Sequence, residues 1–229
     1  MKISPAIFAA AVLMLAEGGF AQSFVNLDFE STNLSGYPLF SDVPISAAMP
    51  GWSGYYSTTT ATGQTSVVSY DGISIGGAII SIIDTNAMPY GFSPIQGKFS
   101  AALFGQGYST PVSSTINQTG LVPSGTMSLQ ARMASGTAPV MMLGGQVINT
   151  VPLTVFPTYT LYGGDISTFA GQVATLSFTE PPPTFSSPSY LLLDSIVFSP
   201  QQVPEPSGLA LFGVGALLLG FFRRRNSSR

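Results

Sequence analysis

The sequence predicts an all-β protein, a β-sandwich, followed by a single C-terminal transmembrane helix. First, about ten short apolar segments alternate with turns rich in Gly, Pro and Asn, as in sandwiches. Second, no segment between residues 22 and 200 carries a helical apolar stripe of convincing length. Third, an uncharged apolar run occupies residues 207–222. As a helix this run spans about 24 Å, which is marginal for a hydrocarbon core of about 30 Å.

The first strand is predicted at 24–30, because Val25, Leu27 and Phe29 alternate there with polar residues. Further strands are predicted at 66–70, 73–83, 98–104, 114–119, 127–133, 140–143, 146–149, 158–162, 173–178 and 189–198. Residues 57–62 read as a polar loop or an edge. Gly144 and Gly145 form a two-residue hairpin turn, and 165–170 forms at most one helical turn. Residues 189–198 are apolar on both faces, which is typical of a central strand covered on both sides.

The chain divides into four parts. Residues 1–21 read as a signal peptide, with Lys2, an apolar region and small residues before a cleavage site. Residues 22–200 form the β-sandwich domain. Residues 201–206 are a linker with the motif Pro204, Glu205 and Pro206, and residues 207–229 hold the transmembrane segment and a basic tail.

The charge pattern excludes several functions. Only 7% of the residues are charged, against roughly 25% in typical soluble domains. Between residues 22 and 202 the only basic residues are Lys98 and Arg132, against eight acidic ones. Because polyanion binding needs clustered cations, a nucleic-acid partner is not expected.

The chain contains neither Cys nor His. Disulfides and thiolate metal sites are therefore excluded, and the domain must be stabilised by packing. Catalysis by Ser-His-Asp or Cys-His arrangements is excluded as well, and zinc hydrolase chemistry is not expected.

The tail resembles the PEP-CTERM sorting signal of Gram-negative bacteria. Pro204, Glu205 and Pro206 precede the apolar run, and Arg223, Arg224 and Arg225 follow it. The arginines are expected to stay cytoplasmic, and the prolines keep the preceding segment out of the helix. The resemblance implies that an exosortase-type protease cleaves at or near the Pro-Glu-Pro motif. The membrane anchor would then be transient, and the domain would reach the outer surface or the extracellular matrix. The alternative is an ordinary single-span anchor.

The domain resembles galactose-binding-like jelly rolls. The resemblance rests on FVNLDFE at 24–30, PGW at 50–52, and the closing segments YTLYGGDISTFAGQVATLSF at 159–178 and YLLLDSIVF at 190–198. It implies a jelly-roll sandwich with a tendency towards glycan binding, and it names no ligand.

Two sets of residues are candidate sites. Trp52, Tyr55 and Tyr56 form the densest aromatic cluster, which is either a glycan platform or, for Trp52, part of the core. In the resembled jelly rolls a structural Ca²⁺ often joins the first strand to the last. The resemblance places this metal at Glu30 and Asp194, and no other cofactor is expected. The alternative is a solvated Glu30 and a hydrogen-bonded, buried Asp194.

Three functions remain open. The leading hypothesis is a non-catalytic structural or adhesive component of extracellular polysaccharide or biofilm. The second is a carbohydrate-binding module with a specific glycan ligand. The third is a glycoside hydrolase, which needs two carboxylates about 5 to 10 Å apart. No pair among the acidic residues stands out in the sequence.

Overall fold

The computed structural model describes residues 22–74, 77–107, 110–135, 140–183 and 189–203. Its strands are β1 (Asp42–Pro44), β2 (Ser53–Ser57), β3 (Thr62–Thr65), β4 (Val67–Tyr70), β5 (Ile79–Ile83), β6 (Ser100–Phe104), β7 (Ser113–Leu121), β8 (Ser128–Ser135), β9 (Val140–Leu143), β10 (Gln146–Val147), β11 (Thr150–Val155), β12 (Thr160–Asp165), β13 (Val173–Glu180) and β14 (Tyr190–Ser199). Helix is confined to α1 (Ile45–Ala48) and two 3₁₀ helices, Thr85–Tyr90 and Ser167–Phe169, among these residues. The predicted all-β class is confirmed.

The strands form two sheets. One has eight strands in the order β1-β4-β5-β6-β14-β8-β12-β11, and the other has six in the order β10-β9-β13-β7-β2-β3. Apart from the parallel pair β4 and β5, the paired strands are antiparallel. Strand β14 lies between β6 and β8. This position confirms the prediction of a central strand.

The main core lies between the sheets. In β7 and β13 every second side chain is buried, so Ile116, Leu176 and Phe178 face the core while Thr115 and Thr175 face outward. This is the alternation that a half-buried antiparallel sheet requires.

A second apolar cluster lies on the other face of the eight-stranded sheet. Leu192 belongs to this cluster, whereas its neighbours Leu191 and Leu193 belong to the main core. Because successive side chains of a strand point to opposite faces, the cluster covers the outer face of the sheet. Phe92 and Ile95, which follow the 3₁₀ helix Thr85–Tyr90, pack against it.

The strand predicted at 24–30 is wrong. Only Ser23 makes a bridge, to Leu121, and the following residues form turns. Asn26 and Phe29 have positive φ angles of 49° and 59°. A residue in the left-handed φ/ψ region cannot continue a strand. The alternating apolar residues at 24–30 therefore lie in a turn-rich segment and pack individually.

The predicted signal peptide at 1–21 and the predicted transmembrane segment at 207–229 lie outside the described residues. Among the helices that are described, none is long and apolar enough to cross a membrane.

Candidate functional site

The sorting motif begins where the sandwich ends. Pro204, Glu205, Pro206 and the three arginines 223–225 lie outside the described residues, which end at Val203. The chain just before the motif is fastened to the sandwich, because the Ser128 hydroxyl donates to the Gln201 carbonyl at 2.7 Å. A Cβ added to Gly163 would come within 3.1 Å of Val203 Cγ2, so Val203 lies against β12. Cleavage within the motif would therefore leave the sandwich whole.

Trp52 is part of the core, which is one of the two alternatives that the sequence left open for it. The residue is 4% exposed, with its ring centroid 5.6 Å from that of Phe29 and 6.3 Å from that of Phe178. Its indole Nε1 donates to the Asn26 carbonyl at 3.0 Å. A ring that is buried against other rings offers no face to a sugar.

Tyr55 and Tyr56 point to opposite faces of the six-stranded sheet. Tyr56 packs against the core, and its hydroxyl accepts a hydrogen bond from the Ile80 amide at 3.0 Å. Burial raises the pKa of the Tyr56 hydroxyl. Tyr55 lies in register between Gln64 and Thr115 on the outward face and is half-buried. The three aromatic residues therefore do not form one platform.

Glu30 binds the segment that leads into β6. Its Oε1 accepts hydrogen bonds from the amides of Lys98 at 2.8 Å and Phe99 at 3.1 Å. Gly97 has a φ of 64°, and a Cβ there would collide with the Glu30 carboxylate. Glycine is thus required both for the left-handed turn and for the close approach of the carboxylate.

Asp194 binds the same segment from the last strand. It is 1% exposed, and its Oδ2 accepts from the Gln96 amide at 2.9 Å and the Ser100 hydroxyl at 2.7 Å. Burial raises the pKa of this carboxyl, although the hydrogen bonds oppose the shift. Asp194 is therefore buried and hydrogen-bonded, as the alternative to calcium describes.

The two residues carried over for calcium, Glu30 and Asp194, thus meet on residues 96–100. Calcium takes six to eight oxygen ligands, whereas one oxygen of each carboxylate already accepts N–H groups. The described residues contain no cluster of three or more acidic, His or Cys side chains suited to a metal. The residues present fit calcium only in part, and calcium stays a prediction.

A pair of buried acids joins β4 to the end of β5. Asp71 and Asp84 are 0% and 5% exposed, and the Asp84 amide donates to Asp71 Oδ1 at 2.8 Å. Asp84 also accepts from the Tyr70 hydroxyl at 2.8 Å and from Asn86. Asp71 Oδ2 is buried without a hydrogen-bond partner. Burial raises the pKa of Asp71 to about 7, while hydrogen bonds from Asn86, Tyr70 and the Asp71 side chain together outweigh burial and lower the pKa of Asp84.

A cavity that the sequence did not predict lies on the outer face of the eight-stranded sheet. It has a volume of about 170 Å³. Its lining residues are Gly91, Phe92, Ser93, Pro94, Ile95, Ala134, Thr158, Tyr190 and Leu192. We call it the Tyr190 cavity. A second cavity of about 160 Å³ lies between residues 146–149 and 165–169. Only the Tyr190 cavity, of these two, has more than one aromatic ring in its wall.

The tail is now identified. Residues 202–226 match the family model described as the PEP-CTERM protein-sorting motif. The resemblance stated for the tail is confirmed, and the chain is a carrier of this motif. The motif indicates a secreted protein that passes through the membrane and is sorted to the cell surface. No curated protein matches the sequence.

Three solved structures are similar to the chain at low levels. TmCBM61 in complex with beta-1,4-galactotriose has a TM-score of 0.40 and 11% identity, over 76% of this chain and 95% of that one. The apo form of a cyclase from Fischerella sp. has a TM-score of 0.43 and 14% identity, over 77% and 93%. A beta-glucosidase from Kluyveromyces marxianus in complex with glucose has a TM-score of 0.30 and 9% identity, over 75% and 18%. Similarities at this level are too weak to indicate what this chain binds or catalyses.

Proposed function

We propose that this chain is a non-catalytic structural or adhesive component of an extracellular polysaccharide matrix or biofilm, delivered through its sorting motif. The observation that carries the proposal is the match of residues 202–226 to the PEP-CTERM motif. The partners would be an exosortase-type protease, the membrane before processing, and extracellular polysaccharide afterwards. The cell would be Gram-negative, with the sandwich on its outer surface or in its matrix.

The architecture supports this proposal. We infer that the sandwich is a jelly roll of the galactose-binding-like type, since two largely antiparallel sheets enclose one core. The attachment of residues 199–203 to the sandwich supports processing directly after a folded domain, because cleavage at 204–206 removes no described strand.

A non-catalytic role is supported by the burial of one acidic pair. The chain has no His, so a hydrolase would depend on carboxylates. The closest acidic pair described above, Asp71 and Asp84, is sealed from solvent. Carboxylates without access to solvent cannot act on a polysaccharide. Release of reducing ends from matrix polysaccharide by the purified protein would contradict this part of the proposal.

The sorting step is tested by replacing Pro204, Glu205 and Pro206 with alanine in the native cells. We expect the wild-type sandwich in the matrix fraction without its tail, and the variant in the membrane fraction with its tail. Two antibodies, one against the sandwich and one against residues 207–229, distinguish the two forms. The matched control replaces Gln201 by alanine, because this residue precedes the matched residues 202–226. Equal retention of the tail in wild type and motif variant would overturn the proposal.

A further inference from the structure

The Tyr190 cavity is bounded by three separate parts of the fold. The lining comes from the segment 91–95, from Thr158 in the turn between β11 and β12, and from Ala134, Tyr190 and Leu192 in the sheet. None of the lining residues is charged. The cavity therefore suits a neutral ligand, because a charged group would lose its hydration without gaining a counter-charge.

The aromatic wall is held in place by ring contacts. The Phe92 ring meets Tyr190 edge-on, with centroids 5.1 Å apart and an interplanar angle of 84°. It meets Phe104 in the same way at 5.5 Å and 71°. Because Phe104 is buried at 2% exposure, it fixes Phe92, and Phe92 fixes Tyr190. A fixed aromatic ring can pack against the C–H face of a ligand with little further loss of conformational entropy.

Three hydroxyl groups are present among the side chains that line the cavity. They belong to Ser93, Thr158 and Tyr190. Within the part of the chain that the structure describes, none of these hydroxyls has a hydrogen-bond partner in the protein. An apolar cavity with a few unpartnered polar groups at its rim is the usual form of a small-ligand site.

The volume decides how much of a ligand can enter. A protein cavity of roughly 150 Å³ accommodates one six-membered ring, and the Tyr190 cavity measures about 170 Å³. A single pyranose ring presents a C–H face, several hydroxyls and no charge. These features match the aromatic floor, the hydroxyl rim and the absence of charged residues.

We propose that the Tyr190 cavity binds one pyranose unit of a neutral polysaccharide. The proposal rests on the proposed matrix function and deepens it, since it names the ligand class and the point of attachment. The proposed contact lies on the eight-stranded sheet, away from the candidate platform of Trp52, Tyr55 and Tyr56.

The test is affinity electrophoresis of the full chain in gels that contain one soluble polysaccharide each. The neutral probes are galactan, glucan, mannan and xylan, and alginate is the acidic probe. Ala134→Leu fills the cavity from its floor and leaves the ring contacts of Tyr190 in place. Tyr190→Ala removes the stacking face, and Tyr55→Ala is the matched control on the other sheet. Thermal unfolding checks that each variant is folded.

We expect retardation by at least one neutral polysaccharide. The association constant should fall at least tenfold in Ala134→Leu and Tyr190→Ala and stay within twofold in Tyr55→Ala. If Tyr190→Ala does not fold, Ala134→Leu alone decides the question. Binding to alginate only, no binding to any probe, or binding that survives Ala134→Leu would overturn the proposal.

The fractionation experiment separates this inference from the proposed function. If the protein reaches the matrix but binds no neutral glycan, the proposed function stands and the proposed glycan site in the Tyr190 cavity is overturned. If the protein binds a neutral glycan through the cavity but never leaves the membrane, the proposed glycan site stands and the proposed function is overturned.

Discussion

At the scale of single residues, the acid pair of Asp71 and Asp84 has the most measurable consequence. No basic side chain contributes to the pKa shift of either acid. Two neighbouring buried carboxyls without a counter-charge cannot both ionise cheaply, so one proton is retained. Whether stability rises or falls with pH depends on whether the folded or the unfolded state holds that proton more tightly.

We expect the stability of the wild-type protein to fall as the pH rises from about 4 to about 7. The unfolded chain releases the Asp71 proton near pH 4, whereas the folded chain keeps it up to about pH 7. The native state therefore binds more protons across this window, and its stability decreases with pH. Asp84, with a lowered pKa, acts oppositely and only in more acidic solution. Urea unfolding curves at a series of pH values measure the slope.

Asp71→Asn should remove the part of this slope that Asp71 contributes and leave the part due to Asp194, whose pKa is also raised by burial. Asn keeps the acceptor for the Asp84 amide, supplies an N–H₂ donor, and tolerates the φ of 54° at this position. Near pH 8 the variant should be more stable than wild type by about 1 to 2 kcal/mol, since a buried unpaired charge is removed. Asp42→Asn, at an exposed position of the edge strand β1, is the control. An unchanged slope in Asp71→Asn would contradict the assignment of the proton.

At the scale of elements, strands with clear alternation were predictable, whereas β1, β2, β3 and β11 were not predicted. The strand at 140–143 has the predicted bounds, and β7, β8 and β13 lie within about two residues of them. The strands β2 and β3 flank residues 57–62, which read as a polar loop or an edge, whereas β1 and β11 contain Pro44 and Pro152. Strands β1 and β11 lie at sheet edges, where Pro is tolerated.

The candidate sites were less predictable than the strands. The sorting motif is a contiguous sequence, so it could be recognised without a structure. The Tyr190 cavity joins Phe92, Thr158 and Tyr190, which are far apart in the chain and come together only through sheet order. The sequence alone could not assign Trp52 to the surface or to the core, because a cluster of aromatic residues in the chain occurs in both.

The hairpin between β9 and β10 was predicted correctly and carries a testable asymmetry. Gly144 and Gly145 have φ angles of 57° and 79°, as the turn requires. A Cβ on Gly144 would come within 2.6 Å of Phe169, whereas one on Gly145 meets nothing within 4 Å.

Gly144→Asn should therefore cost more stability than Gly145→Asn. Asn tolerates positive φ in both cases, so the difference between the variants reports the contact with Phe169. We expect a loss of about 1 to 3 kcal/mol for Gly144→Asn, as in overpacked sites, and less than about 0.5 kcal/mol for Gly145→Asn. Equal losses in denaturant unfolding would show that the turn is free to move away from Phe169.

At the scale of the whole molecule, the turn-rich N-terminal segment closes the sandwich. The Gln118 side chain pairs with both backbone groups of Val25, at 2.6 Å and 3.0 Å. The Ile196 amide donates to the Leu27 carbonyl at 2.9 Å. Together with Glu30, these contacts attach the beginning of the domain to both sheets. The end of the domain is attached beside β8 and β12, so neither end depends on the sorting tail.

Variants of Glu30 test whether this closure relies on hydrogen bonds alone or also on calcium. Glu30→Ala removes the acceptor for two amides and should lower stability by about 1 kcal/mol, a modest value because Glu30 is exposed. Glu30→Gln retains the acceptor and should lower it less. If the predicted calcium binds at Glu30 and Asp194, millimolar calcium chloride will raise the Tm of wild type above its value in EDTA and leave Glu30→Gln unchanged. Equal Tm values of wild type in calcium and EDTA would remove the metal and leave the hydrogen bonds that Glu30 and Asp194 accept from residues 96–100.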